Sequence, residues 1–201
     1  NRFRDFKDAL RKDVKNRARL CREEIEFVLA REDDCGVLMK QLEEGILPLR
    51  VTHNDTKLNN ILFDKNTGEG LCIIDLDTIM PGLAANDFGD SIRFGASTAE
   101  EDEKDLNKVH FDIELYRIYV KGYLEMAKDV LTPAENASLP WGARLMTLEC
   151  GMRFLADFLQ GDVYFKTTYP EHNLVRARTQ FRLVKEMEEQ FDQMQEIVET
   201  F

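Results

Sequence analysis

Two short apolar runs that enclose a polar loop constrain the fold of this 201-residue chain more than any other feature. The first run, Leu49 to Thr52, leads into the loop, and the second, Ile61 to Phe63, leads the chain out of it. A third run begins at Leu71, after a turn that contains glycine. Short apolar segments separated by turn residues are typical of strands. The sequence therefore predicts small β-hairpins here, with the polar loop at one end of them.

The polar side chains of this region are expected to meet at that end of the hairpins. The loop has the pattern His53-x-Asp55-x-x-x-x-Asn60, and the third apolar run ends on Asp75 and Asp77. Because a hairpin reverses the chain, it returns the second pair of carboxylates to the end where Asp55 lies. Three acids and one amide would then converge.

Such a set of oxygen atoms suits phosphoryl transfer from ATP to a hydroxyl group. That reaction needs a group that accepts the hydroxyl proton and ligands for the Mg2+ that neutralises the phosphates. Mg2+ prefers oxygen ligands and keeps several waters, so one or two carboxylates with Asn60 would suffice. The competing interpretation is that these Asn and Asp residues only cap turns. A second acidic motif in register with the first favours the chemical interpretation.

The two motifs resemble the catalytic segment shared by aminoglycoside phosphotransferases, choline kinases and the wider protein-kinase-like superfamily. The resemblance implies that Asp55 is the catalytic base and that Asn60 and Asp75 bind the Mg2+ of MgATP, with Asp77 as an auxiliary acid of the same cofactor site. It also places His53 and Lys57 beside Asp55 in the catalytic set, with His53 mainly structural.

A closer resemblance is to the bacterial N-acetylhexosamine kinases, which phosphorylate the anomeric hydroxyl of GlcNAc and GalNAc. The sequences His-Asn-Asp-Thr-Lys-Leu-Asn-Asn and Ile-Asp-Leu-Asp-Thr both look like that group's versions of the two motifs. The resemblance implies that Phe94, Arg153 and Tyr164 hold the sugar, and Asp157 completes the predicted substrate set. An arginine offers directional donors to hydroxyls, and an aromatic ring packs on the apolar face of a sugar.

The tripeptide Asp87-Phe88-Gly89 spells the metal-binding sequence of protein kinases but stands at the wrong distance. It lies thirty-two residues after Asp55, whereas that acid is expected about twenty residues on. The spacing fits Asp75. We therefore predict scaffold roles for Asp87 and for Asp90, which the resemblance implies to be a buried anchor of the loop backbone.

Helical periodicity dominates the rest of the chain. Helices are predicted over residues 3–20, 25–30, 37–44, 88–94 and 111–127, a capping box at Thr132 to Glu135 begins another, and helices follow from Pro140 to Gln160 and at the C-terminus. Residues 80–85 are predicted as a loop. The predicted fold class is α+β and predominantly α-helical, with residues 1–201 as a single domain that corresponds to the C-terminal lobe of a protein-kinase-like fold.

Neither a glycine-rich phosphate loop nor a strand lysine precedes His53, although kinases of this superfamily carry both. The resemblance therefore implies that the N-terminal nucleotide-binding lobe is absent from this chain. We expect these 201 residues alone to be nearly inactive and a longer protein with that lobe to be active.

The predicted helix from Pro140 to Gln160 carries Glu149, Arg153 and Asp157 four residues apart on an otherwise apolar circumference. Buried charges need partners, so this ridge is either an internal ladder of ion pairs or one wall of a pocket. The residues alone slightly favour the ladder, whereas the hexosamine-kinase resemblance favours the pocket.

The composition of the chain argues against several classes of binding partner and site. A formal net charge of −11 argues against nucleic acid, because duplex binding depends on clustered Lys and Arg. The four cysteines form no C-x-x-C pair, so neither zinc nor disulfides is indicated. We find no apolar run long enough for a membrane span and no leader sequence, so a cytoplasmic location is expected.

Two other functions remain open at this point. A kinase of an aminoglycoside, choline or another amino alcohol would keep the mechanism and change the acceptor; such cations favour acids or an aromatic cage, and Arg153 would repel them. A catalytically silent kinase-like binding module is the alternative from a different class. The presence of Asp55, Asn60 and Asp75 together argues against it.

Overall fold

The computed structural model describes residues 2–127 and 129–201, which fold mostly into α-helices with two small antiparallel sheets. The helices are α1 (Arg2–Lys12), α2 (Arg22–Leu29), α3 (Val37–Glu43), α4 (Ala84–Gly95), α5 (Ile113–Ala127), α6 (Pro133–Gln160), α7 (His172–Glu189) and α8 (Phe191–Thr200); the strands are β1 (Arg50–Thr52), β2 (Ile61–Phe63), β3 (Gly70–Ile73) and β4 (Met80–Gly82). This agrees with the predicted, predominantly helical α+β class and is compatible with a kinase-like C-terminal lobe.

Contacts divide the chain into two compact units. The first unit comprises Asn1–Val37, Ser97–Phe111 and Thr147–Glu189, and the second comprises Leu38–Ala96, Asp112–Met146 and Gln190–Phe201. In the first unit, Phe27 of α2 stacks on Phe181 of α7 with 5.0 Å between ring centroids. None of the described helices combines the length and the apolar character that a membrane crossing requires.

The second unit contains both sheets and the polar loop. Strand β2 pairs with β3 as a hairpin, with Ile61 opposite Ile73, and Asp64 accepts backbone N–H groups in the turn between them. Strand β1 pairs with β4, with Thr52 opposite Met80. The prediction of a loop over residues 80–85 is wrong, because β1 supplies a partner for residues 80–82 and α4 begins at Ala84. A two-stranded sheet consists of edges, where a proline such as Pro81 is tolerated.

Helix α1 is shorter than the predicted helix over residues 3–20. It ends at Lys12, after which Asp13 and Asn16 adopt positive φ angles of 32° and 57°. The Asp13 carboxylate accepts the backbone N–H groups of Arg17 at 2.8 Å and Ala18 at 3.1 Å. Local hydrogen bonds from Asp compete in this way with the helical pattern and end the helix.

Helix α6 begins at the predicted capping box and runs through Pro140 without a new start. Glu135 accepts the Thr132 N–H at 2.8 Å and donates its own N–H to the Thr132 hydroxyl at 3.2 Å, which confirms the box. The predicted start of a separate helix at Pro140 is wrong. Two residues after Pro140, α6 packs closely on α4, because a Cβ added at Gly142 would overlap the backbone of Ala85. The two helices cross too closely there for any side chain.

Candidate active site

Two carboxylates of α4 hold the backbone of the polar loop in place. Asp87 accepts the N–H groups of residues 53 and 54 at 2.7 and 2.8 Å, and Asp90, which is buried, accepts the N–H of Thr56 at 3.0 Å. Hydrogen bonds to charged acceptors are among the stronger ones in proteins. The residues on both sides of Asp55 are therefore fixed, and the predicted scaffold roles of Asp87 and Asp90 are confirmed.

The whole tripeptide from Asp87 to Gly89 is structural. Phe88 is buried and packs edge-on or tilted against three tyrosines of α5, with 5.1 to 6.1 Å between ring centroids. A Cβ at Gly89 would overlap the backbone of Gly142, so glycine is required where α4 meets α6. The distance of Asp87 from Asp55 along the chain therefore predicted its role better than the identity of the tripeptide did.

The carboxylate of Asp55 is held through one of its two oxygens. Its Oδ2 accepts from Nζ of Lys57 at 2.7 Å and from the side-chain amide of Asn60 at 2.8 Å. Partial burial alone would raise the pKa of Asp55, but the hydrogen bonds from Lys57 and Asn60 and the charge of Lys57 lower it below its ordinary value. Asp55 is therefore a carboxylate at neutral pH, and its Oδ1 is the oxygen that can accept a proton.

His53 lies beside Asp55 and ties the loop to the end of β3. Its Nε2 is 3.0 Å from the carbonyl oxygen of Ile74, and because a carbonyl only accepts, this nitrogen carries the proton. Its own carbonyl accepts from the hydroxyl of Thr78 at 2.6 Å. These contacts match a structural role for His53.

Asn60 and Asp75 lie near each other at the same end of the β2–β3 hairpin. Asn60 is buried and donates to the Asp55 carbonyl at 2.8 Å as well as to its carboxylate, which leaves its side-chain oxygen for another partner. The backbone oxygen of Asn60 accepts from the N–H of Ile74, so Asp75 comes next along the strand. Asp75 has a left-handed backbone with φ 64°, and both it and Asp77 are exposed.

These oxygen atoms fit a magnesium ion better than a metal that needs a closed protein cage. Among residues 2–127 and 129–201, no group of three or more His, Cys, Asp or Glu is arranged to hold a metal. Mg2+ needs only one or two carboxylates when phosphates and waters complete its shell. The free oxygen of Asn60 and the exposed carboxylate of Asp75 are compatible with that donor set.

A cavity of about 470 Å³ opens beside Asp55 within the second unit. Asp55 and Lys57 border it, as do three aromatic residues, Phe88, Tyr119 and Tyr123. We call this cavity the aromatic pocket. Helix α5 contributes the two tyrosines, which the sequence interpretation counted only as part of a helical pattern. Their spacing of four residues, beside the buried Phe88, was the signal that could have identified them.

The predicted substrate residues do not border the aromatic pocket. Phe94 lies in the second unit, where the guanidinium of Arg93 stacks over its ring at 4.1 Å. Arg153, Asp157 and Tyr164 lie in the first unit, where all three border a smaller cavity of about 210 Å³. The structure thus brings these three together within one unit.

The polar ridge of α6 is not a ladder of ion pairs. Glu149 pairs with Arg2 at 3.3 Å, whereas the guanidinium of Arg153 lies 5.8 Å from the ring centroid of Tyr164. Asp157 is buried and accepts the N–H groups of residues 163–165 at 2.8 to 3.0 Å, together with the Asn173 side chain at 2.8 Å. Each residue of the ridge therefore has a different partner. Asp157 folds the loop that carries Tyr164, and a substrate contact for Asp157 stays a prediction.

One comparison with known proteins bears on this geometry. The model of the phosphotransferase enzyme family (APH) matches residues 1–128. This range contains the polar loop, both sheets and α4, and it ends before Arg153, Asp157 and Tyr164. Since the match covers more than half of the 201 residues, the chain belongs to the phosphotransferase enzyme family.

Proposed function

We propose that this protein transfers the γ-phosphoryl group of MgATP to a hydroxyl group of a small molecule, with the anomeric hydroxyl of an N-acetylhexosamine as the favoured acceptor. Membership of the phosphotransferase family supports the reaction class. The observation that carries the proposal is the presentation of Asp55. Its loop is fixed on both sides by buried or half-buried carboxylates, one of its two oxygens is held by hydrogen bonds, and the residue borders a cavity.

In the proposed reaction, the acceptor hydroxyl attacks the γ-phosphorus while Oδ1 of Asp55 takes its proton. A bond forms between the acceptor oxygen and phosphorus, the bond from phosphorus to the β–γ bridging oxygen breaks, and ADP leaves. The hydrogen bonds to Oδ2 keep the carboxylate oriented. Positioning and charge stabilisation supply most of the rate in such reactions, because little covalent chemistry is asked of the protein.

We assign the phosphate side of the site to Asn60, Asp75, Asp77 and Lys57. The side-chain oxygens of the first three would hold Mg2+, which neutralises phosphate charge when it is bound. Lys57 pairs with Asp55 at 2.7 Å and adds a positive charge beside the reacting group. His53 keeps its structural role.

The proposal that the acceptor is a sugar is supported by the resemblance of the two loop motifs to those of hexosamine kinases and by the residues around Arg153. Its guanidinium stacks near the rings of Tyr164 and Phe165 and borders a cavity of the first unit. Arginine beside aromatic rings is suited to a polyhydroxylated ring. An acceptor contact for Arg153 and Tyr164 within the first unit stays a prediction of that resemblance, and a contact for Phe94 in the second unit is a separate one.

The test is ADP release with a panel of acceptors: GlcNAc, GalNAc, an aminoglycoside and choline. We expect Asp55→Asn to lower kcat by roughly 10²–10⁴, the usual range for loss of a general base. Asp64→Asn is the matched control, since Asp64 is an acid of the hairpin turn that also accepts two backbone N–H groups. A decrease below about fivefold for Asp55→Asn would show that Asp55 is not the base.

Two further measurements separate the alternatives. Magnesium-dependent nucleotide binding that is abolished by Asp75→Ala supports the metal assignment, and its absence favours a catalytically silent module. The proposed need for a separate nucleotide-binding lobe is tested by comparing the 201 residues with the longest encoded protein that contains them. Comparable turnover by the two would refute that need.

A further inference from the structure

The aromatic pocket borders the proposed base but is not explained by phosphotransfer alone. It occupies about 470 Å³ and is formed entirely by residues of the second unit. Most of the surface of its wall is apolar and includes Ile61, Ile73 and Leu131, although polar residues such as Asp55 and Lys57 also border it. A compound that fills this space would have its hydroxyl groups near Asp55 and its body against α5.

The charged groups of the wall are already paired with protein groups. Arg50 makes two hydrogen bonds with Glu135, at 2.8 and 2.7 Å. The oxygens of Asp87 accept two backbone N–H groups, and Asp55 pairs with Lys57. Apart from Oδ1 of Asp55, which the proposed reaction uses, a charged ligand would lose hydration without finding an unpaired opposite charge among these described wall residues. The wall therefore favours a neutral ligand.

The phenol groups of Tyr119 and Tyr123 are two further polar features of the wall. Burial, together with the charge of nearby Asp87, raises the pKa of Tyr123 to about 12. Burial also raises the pKa of Tyr119, partly offset by its hydrogen bond with Ser91. Both hydroxyls are therefore protonated at neutral pH and available as donors. Their rings pack directly against Phe88, with 5.7 and 5.1 Å between ring centroids and at angles of 69° and 59° to its ring.

We propose, on the basis of the phosphotransfer proposed above, that Tyr119 and Tyr123 determine acceptor specificity by holding a neutral, hydroxyl-bearing compound with an apolar face in the aromatic pocket. An N-acetylated sugar ring has this chemistry, whereas an aminoglycoside or a quaternary amino alcohol does not. The tyrosines act on binding and leave the proton transfer to Asp55.

The test compares Tyr119→Phe and Tyr123→Phe with wild-type protein in the full-length form. Loss of one neutral hydrogen bond is expected to raise the KM for GlcNAc about 3- to 10-fold, with the KM for ATP unchanged and kcat nearly unchanged. Tyr116→Phe is the matched control, because Tyr116 is on the same helix and also packs against Phe88 but is buried away from the pocket wall. We expect no change in the GlcNAc KM for that variant.

A direct binding measurement separates this proposal from the proposed function. Calorimetric titration with GlcNAc should show weaker binding to Tyr123→Phe but unchanged binding to Asp55→Asn. If Asp55→Asn abolishes turnover while both tyrosine variants keep the wild-type GlcNAc KM, the tyrosine assignment is wrong and the phosphotransfer stands. No ADP release by wild-type protein with any acceptor would refute both.

Two other outcomes would also overturn the tyrosine assignment. A raised KM for ATP in the tyrosine variants would place the nucleotide, not the acceptor, in the aromatic pocket. A higher kcat/KM for choline or an aminoglycoside than for GlcNAc would contradict a neutral ligand. We expect the neutral sugar to be preferred by at least about tenfold, because a wall without free opposite charge gives a cation nothing to offset its lost hydration.

Discussion

Replacement of Asp87 by alanine is the sharpest test of how the polar loop is held. The change removes two charge-assisted hydrogen bonds, of 2.7 and 2.8 Å, from backbone N–H groups at the start of the loop. Each is worth about 1.5–3 kcal/mol when its acceptor is charged. Because Asp87 is only half-buried, water replaces part of this, and we expect the free energy of unfolding to fall by about 3 kcal/mol.

Asp64→Ala is the matched control for this effect. Asp64 is half-buried as well and also accepts two backbone N–H groups, both at 2.8 Å, but these hydrogen bonds are exposed in the β2–β3 turn, whereas those of Asp87 are partly buried. Water can take over both bonds there, so we expect a much smaller loss of stability. Asp87→Asn keeps one acceptor oxygen and should fall between wild-type protein and Asp87→Ala.

Urea unfolding monitored by circular dichroism gives the free energies by linear extrapolation. In the same proteins, we expect Asp87→Ala to lower kcat by about 10- to 100-fold, since a base displaced by about 1 Å loses that much. Equal stability losses in Asp87→Ala and Asp64→Ala would refute the reasoning, because burial and not the number of bonds is the claimed difference. Unchanged kcat in Asp87→Ala would show that the loop keeps Asp55 in place without it.

Two further predictions concern the helices of the second unit. Gly142→Ala should lower the free energy of unfolding by about 1–3 kcal/mol, because the added Cβ would overlap the backbone of Ala85. Gly122→Ala is the control: its Cβ would meet nothing within 4 Å, so the change should raise the free energy of unfolding by about 0.5–1 kcal/mol. Equal effects of the two changes in thermal unfolding would contradict the close crossing of α4 and α6. Hydrogen bonds from Arg50 lower the pKa of Glu135 below its ordinary value of 4.5, so its stabilisation is present above that value and is lost as the pH falls through the lower pKa of the folded state. The stability difference between wild-type protein and Glu135→Gln should therefore shrink from about pH 6 to about pH 3, and a constant difference would contradict the assignment.

The helices and helix caps that depend only on neighbouring residues could be predicted from the local sequence. The capping box at Thr132 and Glu135 forms as expected, and helix α3 and helix α5 lie within two residues of their predicted bounds. The β2–β3 hairpin is also present. Hydrophobic periodicity and side-chain caps act within a few residues, so the sequence displays them directly.

The elements that were predicted wrongly depend on distant partners. Strand β4 exists because β1 lies beside it, although its sequence contains Pro81. Helix α6 continues through Pro140 where it crosses α4. Strand pairing and helix packing of this kind outweigh the local conformational preference of the residues, and a local sequence pattern does not show which distant segment will pack against it.

For the candidate site, the sequence by itself determined which groups could do chemistry. The spacing of Asp55, Asn60 and Asp75 singled them out and set Asp87 aside as scaffold. Only the tertiary structure decided what surrounds them: one carboxylate oxygen of Asp55 is held by hydrogen bonds, and Tyr119 and Tyr123 of α5 border the same pocket as Asp55. The physical reason is that reactive groups are fixed by covalent spacing within one loop, whereas a cavity is enclosed by side chains that only folding brings together.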